Sequence, residues 1–130
     1  MSLSGRQIRV LVADDSPTAL RSICEYLEFE GGFDVVGTAS DGLNAVQQAE
    51  LLNPDLVVLD LRMPRMNGFI AAAKLRKSMP DLRVIILTDM SGATLRDESA
   101  RSGADAFVQK HHLPEGLMHE IARMFRVVEE

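Results

Sequence analysis

Asp14, Asp15, Asp60, Thr88 and Lys110 are the residues of this sequence with the most chemistry to offer. Three carboxylates gathered in one place repel one another strongly unless a cation joins them. With oxygen the only donor and no His or Cys among the candidates, the ion is a hard one. A site with few protein ligands and room for water and phosphate oxygens suits Mg2+ better than Ca2+. Phosphoryl transfer needs positioning and neutralisation of developing charge more than covalent machinery, and Mg2+ with an ammonium and a hydroxyl provides both. In such a site Asp60 is the nucleophile and Lys110 its cationic partner.

Each residue also has a plainer reading. An Asp after a strand is most often a helix N-cap, the better account of Asp14-Asp15 taken alone. Thr88 alone is an ordinary strand-end residue, and Lys110 alone a solvated charge. Asp60 is harder to dismiss, because a carboxylate that directly follows the apolar run Leu56-Val57-Val58-Leu59 tends to have a task. The joint pattern decides: four separate strand ends supply complementary groups, and in an open parallel sheet those ends meet at one edge, where the strand order reverses.

The elements that bring them there are legible as an alternation. Five short apolar runs, residues 8–13, 33–38, 55–60, 83–88 and 104–109, are separated by five longer segments. Short, β-branched runs such as Val84-Ile85-Ile86 favour strands, and the alternation predicts a parallel sheet covered by helices on both faces, an α/β class. Ser16-Pro17 predicts an N-cap and first helical position, with the helix ending at Gly31-Gly32. The second helix begins after Asp41-Gly42 and stops before Asn53-Pro54. The third starts near Asn67 and stops before Pro80. The fourth ends at Gly103, and the fifth begins at Pro114 with Leu117, Ile121, Phe125 and Val128 along one face. Between Ser91 and Ser102 the only sizeable apolar side chain is Leu95, so the fourth helix is expected to be loosely packed.

Composition narrows the function classes. A length of 130 residues fits one domain, and 46% hydrophobic with 25% charged residues is a globular composition able to bury a core. The net charge of -5 argues against direct nucleic-acid binding, which relies on clustered Lys and Arg. No apolar run approaches the roughly 20 residues that span a bilayer, and the first residues lack the pattern of a signal peptide, so the expectation is a cytoplasmic protein without membrane association. The single cysteine, Cys24, excludes an intramolecular disulfide and falls in the helical pattern of Leu20, Ile23 and Leu27, as a buried structural thiol does. Residues 1–7 read as a disordered start or a cloning scar and residues 8–128 as the domain.

Over nearly all of that stretch, Ile8 to Val128, the chain resembles the receiver domains of two-component signalling, the CheY-like superfamily. The residues that carry the resemblance are Asp14-Asp15, Leu59-Asp60 followed by Met63-Pro64 and Asn67-Gly68, Thr88, and Gly103-Ala104-Asp105 leading to Phe107 and Lys110. The resemblance implies a doubly wound, flavodoxin-like (βα)5 fold with five parallel strands in the order 2-1-3-4-5. It implies that Asp60 accepts a phosphoryl group from a sensor histidine kinase or phosphotransfer protein. Asp15 and Asp60 would bind Mg2+ with Asp14 supporting and the main-chain carbonyl of Arg62 completing the shell. Thr88 would hydrogen-bond the phosphoryl group, and Phe107 would turn inward as Thr88 moves, reshaping the face of helix four, strand five and helix five, through which a homodimer would form. Such a domain is a regulatory phosphoacceptor rather than an enzyme, with at most self-catalysed phosphoryl transfer and autodephosphorylation.

The stretch from Val35 to Gly42 is similar to that in receivers joined to helix-turn-helix outputs of the LuxR/NarL type, or to a methylesterase domain. That implies transcription regulation through a DNA-binding domain outside this chain. Several positions depart from the family pattern: Asp89 stands where a small residue usually follows the threonine, and His111 follows Lys110 where Pro or Asp is common. Met66 and Arg62 fall near the pocket mouth, where they bear on how fast the acyl phosphate hydrolyses. His111-His112 read as loop residues rather than metal ligands. Asp89 keeps open a second class, a pseudo-receiver that binds partners without phosphorylation. A haloacid-dehalogenase type hydrolase would need a second Asp where Arg62 stands, and flavin binding would need a phosphate loop after the first strand that is absent.

Overall fold

The computed structural model describes residues 6–90, 95, 97 and 102–125. Five strands form one parallel sheet: β1 (Ile8–Ala13), β2 (Phe33–Ala39), β3 (Leu56–Asp60), β4 (Arg83–Thr88) and β5 (Ala106–Gln109), in the order β2-β1-β3-β4-β5. Between and after them lie α1 (Pro17–Glu30), α2 (Gly42–Leu52), α3 (Gly68–Ser78), a 3-10 turn at Lys110–His112 and α4 (Glu115–Phe125). The chain has the expected doubly wound, flavodoxin-like topology.

Two apolar layers sandwich the sheet because successive strand residues point to opposite faces. On one face Leu11, Val57, Leu59, Val84 and Ile86 meet Ala45 and Ala49 of α2 and Ala71, Ala72 and Leu75 of α3. On the other, Val10, Val12, Val58, Ile85 and Leu87 meet Ile23 and Leu27 of α1 and Leu117 and Ile121 of α4. β3 is buried along its whole length, as a central strand covered on both faces must be. Each of its large apolar side chains contributes about 1.5–3 kcal/mol by leaving water.

Local signals set the helix ends. Ser16 caps α1 by accepting from the Ala19 N–H at 3.2 Å, Asp41 caps α2 through Asn44 N at 2.7 Å, and Asn67 caps α3 through Ile70 N at 3.0 Å. α1 closes at Gly31 with φ +80°, where a glycine meets no Cβ penalty. Cys24 is half-buried, and burial, then Glu28 and Glu25, push its thiol pKa up, away from the reactive thiolate.

Two strand starts differ from the sequence expectation. β3 begins at Leu56 rather than Asp55, and β5 at Ala106 rather than Ala104, for the same reason. The Asp55 carboxylate accepts from the Arg9 N–H at 2.8 Å and the Asp105 carboxylate from the Val84 N–H at 2.7 Å. Each side chain takes a role that a strand carbonyl would otherwise fill. Of the expected fourth helix between Ser91 and Ser102 only Leu95, Asp97 and Ser102 are described, all three helical. The rest of it, its expected loose packing and Val128 on the last helix lie outside the described residues.

Candidate functional site

β1, β3 and β4 are in register so that Ala13 pairs with Leu59 and Asp60 with Leu87. Asp14 and Asp15, just past β1, Asp60 at the end of β3, Thr88 at the end of β4 and Lys110 just past β5 therefore share one sheet edge. Each of Asp14, Asp15 and Asp60 presents a carboxylate oxygen, and the three oxygens all lie within 4.8 Å of one another. Asp14 is 1% and Asp60 4% exposed, whereas Asp15 faces solvent. Lys110 Nζ lies 2.5 Å from Asp60 Oδ1 and 3.8 Å from Asp14 Oδ2.

The electrostatics are unbalanced. Burial, together with the charges of Asp14 and Asp15, pushes the Asp60 carboxyl above the usual carboxylate range even though the Lys110 ammonium pulls the other way. Burial alone would lower the Lys110 pKa, but its hydrogen bond to Asp60 and the charges of Asp60, Asp14 and Asp89 raise it, so it stays an ammonium. Asp14 Oδ1 accepts from the Ser16 N–H at 2.9 Å, while its buried Oδ2 has no hydrogen-bond partner. An orphaned buried carboxylate oxygen facing two further carboxylates, with one ammonium between three negative charges, is a donor set that fits a hard divalent cation.

Thr88 is 2% exposed, and its Oγ accepts from the Met90 N–H at 2.9 Å. Arg62 lies in the β3–α3 loop, two residues beyond Asp60, with an exposed side chain. Phe107 on β5 is half-buried and packs against Phe69 of α3, ring centroids 5.8 Å apart. Asp89, just past β4, is exposed, and the exposed His111 and His112 rings lie tilted against each other with centroids 4.2 Å apart. All the site residues expected from the sequence thus fall on this edge or on the strand that ends there.

Sequence reasoning missed two features, one beside the site and one at the opposite edge of the sheet. Arg65, passed over between Met63-Pro64 and Asn67-Gly68, pairs with Asp41 across 3.3 Å, and nothing in the residue types marks it. Arg76 of α3 binds Gly103 O, Pro80 O, Leu82 O and Asp105 Oδ2 at once, fastening the residues just before β5 to α3. Of these partners Pro80 is marked as a helix stop and Gly103 and Asp105 belong to a stretch flagged by its sequence, but nothing there points to Arg76 as what joins them.

Comparison with known proteins bears on the same residues. The family model of the response regulator receiver domain matches residues 10–122. The chain is 39% identical over 109 residues to a protein-glutamate methylesterase/protein-glutamine glutaminase of Myxococcus xanthus, an alignment covering 83% of this chain and 31% of that protein. It spans about a third of the length of that curated relative. Among solved structures, the response regulator domain of Thermotoga maritima CheB superposes with a TM-score of 0.84 at 35% identity, covering 95% of this chain and all of that one. CheY in the CheX-CheY-BeF3-Mg+2 complex of Borrelia burgdorferi superposes with a TM-score of 0.85 at 27% identity, covering 94% of this chain and 92% of that one. The fold, the acidic edge and the family match agree: this chain belongs to the response regulator receiver domains.

Proposed function

We propose that the chain is a phosphorylation switch in which Asp60 accepts a phosphoryl group in the presence of Mg2+. The observation that carries this reading is the convergence at one sheet edge of a buried Asp60, an ammonium 2.5 Å from it, and two further carboxylates with oxygens within 4.8 Å. Asp15, Asp60 and the main-chain carbonyl of Arg62 would hold the ion, with Asp14 supporting. When bound, Mg2+ neutralises charge on the carboxylates and on the phosphoryl oxygens. An Asp60 oxygen attacks phosphorus, the bond from phosphorus to the donor's imidazole nitrogen breaks, and the imidazole leaves with the electron pair of that bond. Lys110 stabilises the charge carried by the phosphoryl group, and Thr88 is placed to donate its hydroxyl hydrogen to one of the oxygens.

The phosphorylated aspartate adds charge and acceptor oxygens that draw Thr88 and Lys110 inward, vacating space for Phe107 and biasing which partner surface is populated. The phosphodonor is a sensor histidine kinase or phosphotransfer protein. The output is a joined domain or partner, with transcription regulation its expected form. The unit spans residues 8–128, and its location is cytoplasmic. Among the described residues no helix is long and apolar enough to cross a membrane. The similar CheY of the CheX-CheY-BeF3-Mg+2 complex supports the metal assignment by likeness.

A second reading rests on Asp89, whose charge already acts on Lys110 and lies beside Thr88. In that reading the fold binds partners without taking up phosphate. Incubation with a small phosphodonor and Mg2+, read by intact mass, separates the two. The first reading expects the mass of one added phosphoryl group, lost with EDTA and lost in Asp60→Asn. An unchanged mass in the wild-type chain supports the second.

A further inference from the structure

The β3–α3 loop, residues 61–67, leads directly from Asp60 to α3, and its ends are fixed. The Leu61 N–H donates to Leu87 O at 2.9 Å and the Gly68 N–H to Leu61 O at 2.8 Å. Leu61 and Met63 are buried in the core layer that includes α2. Gly68 lets the helix start close to Asp60, since a Cβ there would lie 2.9 Å from Asp60 O.

The middle of the loop is held differently. The Met66 N–H donates to Pro64 O at 2.7 Å, closing a three-residue turn with Arg65 at its centre, and Arg65 has φ +70°. Such a turn around a residue other than glycine is rare and strained, and it persists only where its surroundings impose it. Two contacts with the start of α2 do so. Arg65 Nε lies 3.3 Å from Asp41 Oδ2, while Asp41 Oδ1 caps α2 at Asn44 N. Met66 O rests against Gly42, where a Cβ would lie 1.8 Å from it. Asp41 therefore does two things with its two oxygens, and only one of them is helix capping.

We infer that Asp41 and Arg65 form a latch that holds the β3–α3 loop closed, keeping the main-chain carbonyl of Arg62 in place for the divalent ion. Arg65 is a positioning residue, and the inference rests on the phosphoacceptor reading above. A loop held closed by an ion pair has a competent fraction that the pair sets, and the apparent metal affinity scales with that fraction; here Arg65 is exposed and Asp41 half-buried. Exposed pairs shift such equilibria by factors of about two to five.

The test uses Asp41→Ser, which keeps a capping oxygen but no charge, Arg65→Ala, their double variant, and Arg65→Lys as the conservative rescue. In EDTA, amide exchange at Met66 and Gly68 is expected to accelerate about two- to fivefold in each single variant, with the melting midpoint little changed. The Mg2+ dissociation constant is expected to rise in the same direction but by at most that factor, since it scales with the reciprocal of the closed fraction. The double variant should be no worse than either single one, and Arg65→Lys should recover part of the loss. Wild-type exchange and affinity in both single variants, or losses that add in the double, would overturn the latch alone. A wild-type chain that binds no Mg2+ overturns the phosphoacceptor reading and the latch's role with it.

Discussion

Without divalent cations, replacing Asp14 by Asn is expected to stabilise the fold. The Asp14 carboxylate is almost fully buried, and its Oδ2 has no hydrogen-bond partner. Lys110, 3.8 Å away, attracts it by about 4 kcal/mol at an effective dielectric of about 20. Asp60, with an oxygen within 4.8 Å, repels it by at least about 3 kcal/mol on the same scale, and the exposed Asp15 adds about 1 kcal/mol through water-like screening. These contributions cancel to within about 1 kcal/mol, leaving the uncompensated desolvation of Oδ2, about 1–3 kcal/mol. An amide keeps the bond from Ser16 through its oxygen and turns an NH2 toward the carboxylates. The expected gain is about 1–3 kcal/mol, or about 3–12 °C in the midpoint of thermal unfolding in EDTA. Adding Mg2+ should raise the wild-type midpoint more than that of Asp14→Asn, which keeps Asp15 and Asp60 but lacks the supporting charge. A variant less stable than wild type by about 1 kcal/mol or more in EDTA would refute the reasoning, because the buried charge would then be well compensated without an ion.

Other perturbations test the frame of the fold. Gly42→Ala forces a Cβ into Met66 O and should lower stability by about 1–3 kcal/mol in urea unfolding, despite alanine's better helix propensity. Arg76→Lys cannot serve Gly103 O, Pro80 O, Leu82 O and Asp105 together, so a loss of about 2–4 kcal/mol is expected, read as a lower denaturant midpoint. Burial alone would raise the Asp55 carboxyl pKa, yet hydrogen bonds from Arg6 and the Arg9 N–H, with both charges, hold it below its ordinary value. The unfolded state then binds more protons as acid is added, so the contribution is complete above about pH 4 and fades as pH falls through the folded-state value. Asp55→Asn should remove that part of the acid-side loss, and urea midpoints measured at a series of acid pH values check it.

Much of the architecture was legible because local and global signals agree in this chain. β1 and β4 run where the apolar runs do, and Ser16, Asp41 and Asn67 cap the helices their spacing announced. The boundaries that moved, at Asp55 and Asp105, moved because a carboxylate stands in for a backbone acceptor, a substitution that residue type alone does not reveal. The acidic edge was legible because strand ends in a parallel sheet converge whatever lies between them. The Arg65–Asp41 pair and the Arg76 clamp were not, since each depends on which way a long, flexible side chain turns once its loop is built. Nor does an orphaned oxygen such as Asp14 Oδ2 show in a sequence, being a property of packing.

Borohydride trapping tests the central claim most directly. The chain is phosphorylated with a small donor and Mg2+, reduced so that an acyl phosphate becomes an alcohol, and mapped by peptide mass spectrometry. Phosphorylation at the acidic edge predicts homoserine in place of Asp60 and nowhere else, appearing only when Mg2+ is present. Homoserine at Asp14 or Asp15, or an unaltered Asp60 in a chain that has gained a phosphoryl group, would contradict it.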